Sequence, residues 1–178
     1  LELIDNNITK ISHAIRSLRL GDGTLARING GRSYSRDAID KVLEKTGIKL
    51  RSRISSSLTT SGYERLASGR SIIIMDCSHN GKDVYNGLLS FEMSVGRDRL
   101  IVNCGPAPNN EKNWEKALAS SAAHSCLVIN NTNSSSVKNN TKTKINVTRE
   151  VTSGFEIISA KHNGYETLYS AIHKRVLK

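Results

Sequence analysis

Residues 61–105 read SGYERLASGRSIIIMDCSHNGKDVYNGLLSFEMSVGRDRLIVNCG, and the second half of this stretch alternates strictly. Leu89, Phe91, Met93 and Val95 fall on one side, with Ser90, Glu92 and Ser94 on the other. Period two predicts a strand with one buried and one wet face. Gly96-Arg97-Asp98 reads as the turn, and Arg99 to Cys104 as the returning strand. Upstream, Tyr63–Ala67, the Ser68-Gly69 turn and Ser71–Met75 form an earlier strand pair. Four strands in so short a space predict an antiparallel sheet, with the rest of the chain flanking it.

N-terminal to the sheet, Leu3 to Leu18 is the clearest helix. Ile4, Ile8, Ile11, Ile15 and Leu18 recur at four- and three-residue steps and make one apolar stripe. Gly21 and Gly23 end it, and His13, beside the stripe, reads as a boundary histidine. Asn29-Gly30-Gly31 lacks the spacing of a phosphate loop and reads as a turn. Ser35 is placed to cap a second helix that buries Ile39, Val42 and Leu43, with Gly47 at its end. The basic and then Ser/Thr-rich run of residues 49–61 marks the change from helical to β character. The boundary is placed at residue 57, giving a helical segment 1–57 and a β domain 58–178.

Beyond Gly105, Pro106 and Pro108 interrupt the pattern. Residues Glu111–Ala119 predict a short helix with Trp114 and Leu118 inward, and Cys126–Asn130 a strand. Residues 130–144 are polar and read as a hairpin tip or insert. Ile145–Arg149, Phe155–His162 and Thr167–Leu177 are further strand candidates, with Asn163-Gly164 as a turn.

The 178 residues are 37% hydrophobic and only 4% aromatic, so the core is modest and built from Ile, Leu and Val. The formal charge is +10 and divides evenly about residue 60, which favours anionic partners without marking a patch. The scattered aromatics and the absence of helix-turn-helix or zinc-finger spacing argue against a nucleic-acid-binding domain. Cys77, Cys104 and Cys126 form no CxxC pair and read as buried thiols. No apolar run approaches the ~18 residues of a membrane span, so membrane insertion is not expected.

The pieces SGYERLASGRSIIIMDCS, NGLLSFEMSVGRDRLIVNCG, AAHSCLVIN and HNGYETLYSAIHKR, in that order, resemble the heparinase II/III-like proteins at their C-terminal β-sandwich. LRLGDGTLARINGG is similar to the loops at the end of that family's α/α toroid. The resemblance implies a mostly β fold, an antiparallel β-sandwich preceded by a short helical segment from the toroid. Family members are longer, so a chain that opens at Leu1 and closes on Arg175-Val-Leu-Lys178 reads as a fragment of such a protein.

Active members of the family are polysaccharide lyases. A base takes the proton α to a uronic carboxylate, a neutralising group stabilises the enolate-like intermediate, and an acid protonates the leaving oxygen. The resemblance puts most of these groups on the toroid, so this chain is expected to be inactive alone. The family's sandwich carries a His-x-His-x-Asp stretch, a strand Asp and a later His that bind zinc in some members. On the LSFE match, Asp83 and Tyr85 stand at the two histidines, Gly87 at the Asp, Asn103 at the strand Asp and His124 at the later His. One imidazole is too few for zinc, so no metal or other cofactor is expected, although His79 lies close in sequence. Tyr85 and His124 are the remaining catalytic candidates, while His162 and His173, in the family's last stretch, read as structural. The implied partner is an anionic polysaccharide and the implied location the periplasm or cell envelope. The alternative is a non-catalytic sandwich module that binds anionic glycans.

Overall fold

Two-residue turns build the central sheet. In the computed structural model, which describes residues 2–47, 54–58, 61–78, 85–108, 111–135 and 143–178, β2 (Tyr63–Ser68) and β3 (Ser71–Asp76) close at the pair Ser68–Ser71. The strands β4 (Phe91–Val95) and β5 (Asp98–Ile101) close at Val95–Asp98. Gly69 and Gly96 open these turns at φ of 54° and 59°, which only glycine adopts without strain. With β1 (Ser57–Leu58) at one edge, five strands run antiparallel in chain order. A second sheet consists of β6 (Ile145–Thr152), β7 (Phe155–His162) and β8 (His173–Leu177).

The two sheets form an antiparallel β-sandwich. Leu66, Met75 and Cys77 from the first sheet, with Leu88 and Leu89 from the following loop, meet Ile145, Ile158 and Ala160 of the second. Ile73, Phe91, Val147 and Leu177 complete the layer. Each fully buried aliphatic side chain here contributes about 1.5–3 kcal/mol over its exposed state. The other face of the five-stranded sheet is covered too: Leu20, Ile28 and Ile74 cluster with Leu18, Ala26, Tyr63 and Ile72.

That second covering corrects the expected wet face. Ser90, Glu92 and Ser94 are all buried, Glu92 fully. The Gly21 N–H donates to Ser94 Oγ at 2.9 Å and the Arg27 N–H to Glu92 Oε1 at 2.7 Å. Polar residues were selected on this face because they receive main-chain donors from the loop above it, not water. Leu89 also differs: it lies before β4 at φ 58°, in the left-handed region, and is fully buried.

The helices hold other differences. The first helix, α1 (Glu2–Ser17), turns Ser12, Arg16 and Ser17 inward, while Ile4, Ile8 and Ile11 stay exposed. Ser12 and Ser17 donate their hydroxyls to the Ile8 and His13 carbonyls, at 2.8 and 3.0 Å, so both can be buried with their polar atoms paired. His13 is half-buried. Helix α2 (Arg36–Lys45) is capped by Ser35, which accepts from the Ala38 N–H, and buries Ile39 and Leu43, whereas Val42 is exposed. In α3 (Lys112–Leu118) Trp114 is exposed and Leu118 half-buried; Ala119 makes the contact instead.

Cys126–Asn130 is not a strand, because Asn130 and Asn131 take positive φ and fold the chain back at an Ile129–Thr132 bridge. Ser134, in the stretch read as a polar insert, is fully buried against Ser121 and the Asn86 carbonyl. The rest of that insert, 136–142, lies outside the described residues. Asn163-Gly164 leads not into a hairpin but into a one-turn helix, α4 (Glu166–Tyr169), ahead of β8. Of the three free thiols only Cys77 is buried, and burial pushes its pKa up; Cys104 is exposed and Cys126 half-buried. Among the described residues no helix is long and apolar enough to cross a membrane.

Arg99 on β5 pairs with Glu92 at 2.6 Å and with Asp22 at 2.9 Å. Burial pushes the Glu92 carboxyl up, against the pull of the Arg27 and Asn103 N–H groups and of Arg99. Removing one partner of such a buried pair leaves an uncompensated charge. Arg99→Met is therefore expected to cost about 3–5 kcal/mol in urea unfolding; a loss below about 1 kcal/mol, the scale of a surface pair, would contradict this role.

Candidate functional site

Tyr85, Gly87, Asn103 and His124 come together at the end of the five-stranded sheet where β4 starts and β5 finishes. Gly87 is the contact point. A Cβ there would stand 3.1 Å from the His124 ring, so the absence of a side chain seats the imidazole. Tyr85 meets that ring edge-on, with centroids 6.0 Å apart and planes at 77°. The Tyr85 ring lies in turn over Gly30, where a Cβ would come within 2.3 Å of it; Gly30 has φ 68°. The glycine turn of residues 29–31 thus reaches the site.

Asn103 is held from two sides. Its N–H donates to Glu92 Oε1 at 3.2 Å, and its Oδ1 accepts from the Ser125 N–H at 3.0 Å. It lies two residues past β5 rather than in a strand. Ser125 is also fastened to Phe91, whose N–H donates to Ser125 Oγ at 2.8 Å, and the Ser125 carbonyl accepts from Arg175 Nη1 at 2.6 Å. His124 and Asn103 are therefore positioned by the same short segment.

Polar atoms at this site are left over. Among the described residues, the Asn103 Nδ2 and both ring nitrogens of His124 are buried without a hydrogen-bond partner. Burial pushes the His124 pKa down; the Leu118 carbonyl offsets this in part without reaching hydrogen-bond geometry. The neutral ring can donate from one nitrogen and accept at the other. Buried groups of this kind each cost about 1–3 kcal/mol unless something pairs with them.

Among the described residues no group of three or more His, Cys, Asp or Glu is placed to hold a metal ion, and the site itself supplies one imidazole. Asp83 and His79 lie outside the described residues.

His162 and His173 occupy a separate place, at the end of β7 and the start of β8. His162 Nδ1 accepts the Gly164 N–H at 3.0 Å, so its proton sits on Nε2, which donates to His173 Nδ1 at 2.9 Å. Both rings are neutral in this arrangement. Tyr165, fully buried beside them, donates to the Leu127 carbonyl at 2.6 Å, and burial pushes its pKa up to about 12. These contacts tie the last strand to the loop carrying His124.

The model of the heparinase II/III-like C-terminal domain matches residues 50–178. The chain belongs to this family. A curated relative, FtsZ-localized protein C of Caulobacter vibrioides, is 31% identical over 112 residues, or 60% of this chain and 19% of its own. The crystal structure of a mutant of the heparan sulfate lyase HepC from Pedobacter heparinus superposes with a TM-score of 0.69 at 15% identity. It covers 92% of this chain and 29% of that one, and it establishes the shared fold. The chain thus spans about a fifth of the curated relative and under a third of the lyase.

The family stretch containing Tyr85, Asn103 and His124 was visible in the sequence. The charged supports Glu92, Arg99 and Arg175 were not. Their one signal was a lone Glu in an otherwise Ser-bearing strand face, facing an Arg across a two-residue turn.

The histidine pair sets a pH dependence. His162 falls from 6.5 to about 4, through burial first and then the proximity of His173 and Arg175. A depressed folded pKa means stability is complete above 6.5 and is lost as pH drops through about 4. The expected loss is about 3 kcal/mol in denaturant unfolding across that window. His162→Gln should flatten the slope, and an unchanged slope in this variant would refute the assignment.

Proposed function

We propose that this chain is the sandwich portion of a heparinase II/III-like polysaccharide lyase and engages an anionic polysaccharide at the Tyr85–Asn103–His124 site. The observation that carries the reading is the set of unpaired buried groups there, the Asn103 amide and both His124 nitrogens. A sugar's hydroxyls and carboxylate carry the acceptors and donors that pair these groups once the site opens to admit them. A net charge of +10 favours a polyanion's approach.

Elimination next to a uronic acid needs a base, an acid and a group that neutralises the carboxylate. Tyr85 and His124 offer one phenol and one neutral imidazole, in edge contact with each other. Neither has a described cation beside it to stabilise the enolate-like intermediate. In this reading the chain binds and orients sugar without zinc and does not cleave it alone, and it works in the periplasm or cell envelope. A second reading, a non-catalytic glycan-binding module, is favoured by the single imidazole at the former ligand positions.

Equilibrium binding and lyase assays on heparan sulfate and uronate-rich polysaccharides separate these readings. The expected result is measurable binding with no ultraviolet-absorbing unsaturated product and no retained zinc. His124→Ala is expected to weaken binding about tenfold, the loss of one or two hydrogen bonds. Wild-type affinity in that variant would sink the site assignment, and product formation would make the chain an active lyase by itself.

A further inference from the structure

A cavity of about 430 Å³ opens between the α1–α2 region and the outer face of the five-stranded sheet, and it shares no residue with the Tyr85–His124 site. Five arginines line it: Arg16, Arg19, Arg36, Arg65 and Arg97. Leu20 and Ile72 supply its apolar floor. This volume lies within the ~300–1,000 Å³ common for small-molecule sites.

The fold works to bring these guanidinium groups together. Gly21 has no room for a side chain, since a Cβ would fall 1.6 Å from the Gly96 carbonyl oxygen; the loop therefore sits directly on the turn that carries Arg97. At Gly23, with φ 82°, a Cβ would press on Arg19 and Arg36 at 2.9 Å. Arg19 spends one donor on the Gly23 carbonyl at 2.7 Å and another on Asp40 at 2.7 Å, and Arg36 shares that carboxylate at 3.3 Å. Arg65, half-buried on β2, keeps a buried Nε with no hydrogen-bond partner among the described residues.

One carboxylate, Asp40, reaches these arginines, on Arg19 and Arg36. Asp22, between the two glycines, is held by Arg99 at 2.9 and 3.1 Å, and no carboxylate is among the described residues lining the cavity. Asp40 neutralises part of the charge of Arg19 and Arg36, and Arg65 and Arg97 face the same partly apolar hollow with planar donor groups suited to an oxyanion. We infer that this cavity is a binding site for a tetrahedral oxyanion, a sulfate or phosphate group, either free or carried as an ester on a sugar. The inference rests on the cavity and is independent of the role given to His124.

The test titrates the chain with inorganic phosphate, inorganic sulfate, and a sulfated disaccharide beside its desulfated counterpart, with ionic strength held constant by sodium chloride. Saturable binding and a concentration-dependent rise in Tm are expected for the charged oxyanions and not for the desulfated sugar. Tighter binding of the disaccharide than of free sulfate identifies the ester as the source, and the reverse order identifies the free ion. Arg97→Glu, in an exposed turn and so harmless to folding, should weaken binding at least about tenfold, while His124→Ala binds as the wild type does. No saturable binding above the chloride control would overturn the proposal, as would wild-type affinity in Arg97→Glu combined with Arg65→Met.

Discussion

The buried carboxylate of Glu92 is the constraint on which the arrangement depends. It sits fully enclosed on β4, where a charge is costly unless every lone pair is engaged. Its engagement recruits three separate pieces of chain: the Arg27 main chain, the Asn103 main chain and the Arg99 guanidinium. Arg99 extends the network to Asp22, Thr24 and the Leu25 carbonyl. The loop between the first two helices is thereby clamped to the sheet by polar contacts as well as by Leu20 and Ile28. Because Asn103 belongs to the same network, the charged clamp and the candidate site are mechanically one unit.

Arginine performs the equivalent service between the sheets. Arg149 of β6 reaches Glu64 at 2.8 Å and the Ser56 and Arg65 carbonyls at 2.8 and 2.9 Å, and it also pairs with Glu156. Arg175 of β8 donates to the Leu89 and Ser125 carbonyls and lies 4.9 Å from the centre of the Phe91 ring. A chain with few aromatics has a thin core, and planar multi-donor side chains compensate by linking carbonyls that strand pairing leaves open. The positive charge that composition records as an even spread is thus partly structural. Five further arginines line one cavity.

Local signals were legible wherever a short stretch settled its own conformation. The turns at Gly69 and Gly96, the Ser35 cap and the start of β7 at Phe155 follow from residues within a few positions of each other. The family stretch brought Tyr85, Asn103 and His124 forward as a group, and the fold does gather them. Legibility failed where a face's partner lies far away in the chain. Ser94 and Glu92 look solvent-facing until the Gly21 and Arg27 amides arrive from over 60 positions upstream. The isoleucine stripe of α1 looked inward, yet the helix buries Ser12, Arg16 and Ser17 and leaves Ile4, Ile8 and Ile11 exposed. Likewise Asn130 and Asn131, which tolerate positive φ, turn an apolar run into a bend.

By itself the sequence determined the strand periodicity, the turn positions and the family. These follow from residue type at fixed spacing, which is information carried along the chain. Only the tertiary structure decided that both faces of the five-stranded sheet are covered, that His162 and His173 share one proton bridge, and that five arginines from α1, α2, β2 and the intervening turns converge. The reason is physical. Burial and charge pairing depend on which distant segments meet, and a pattern with period two or 3.6 reports a face without naming what covers it.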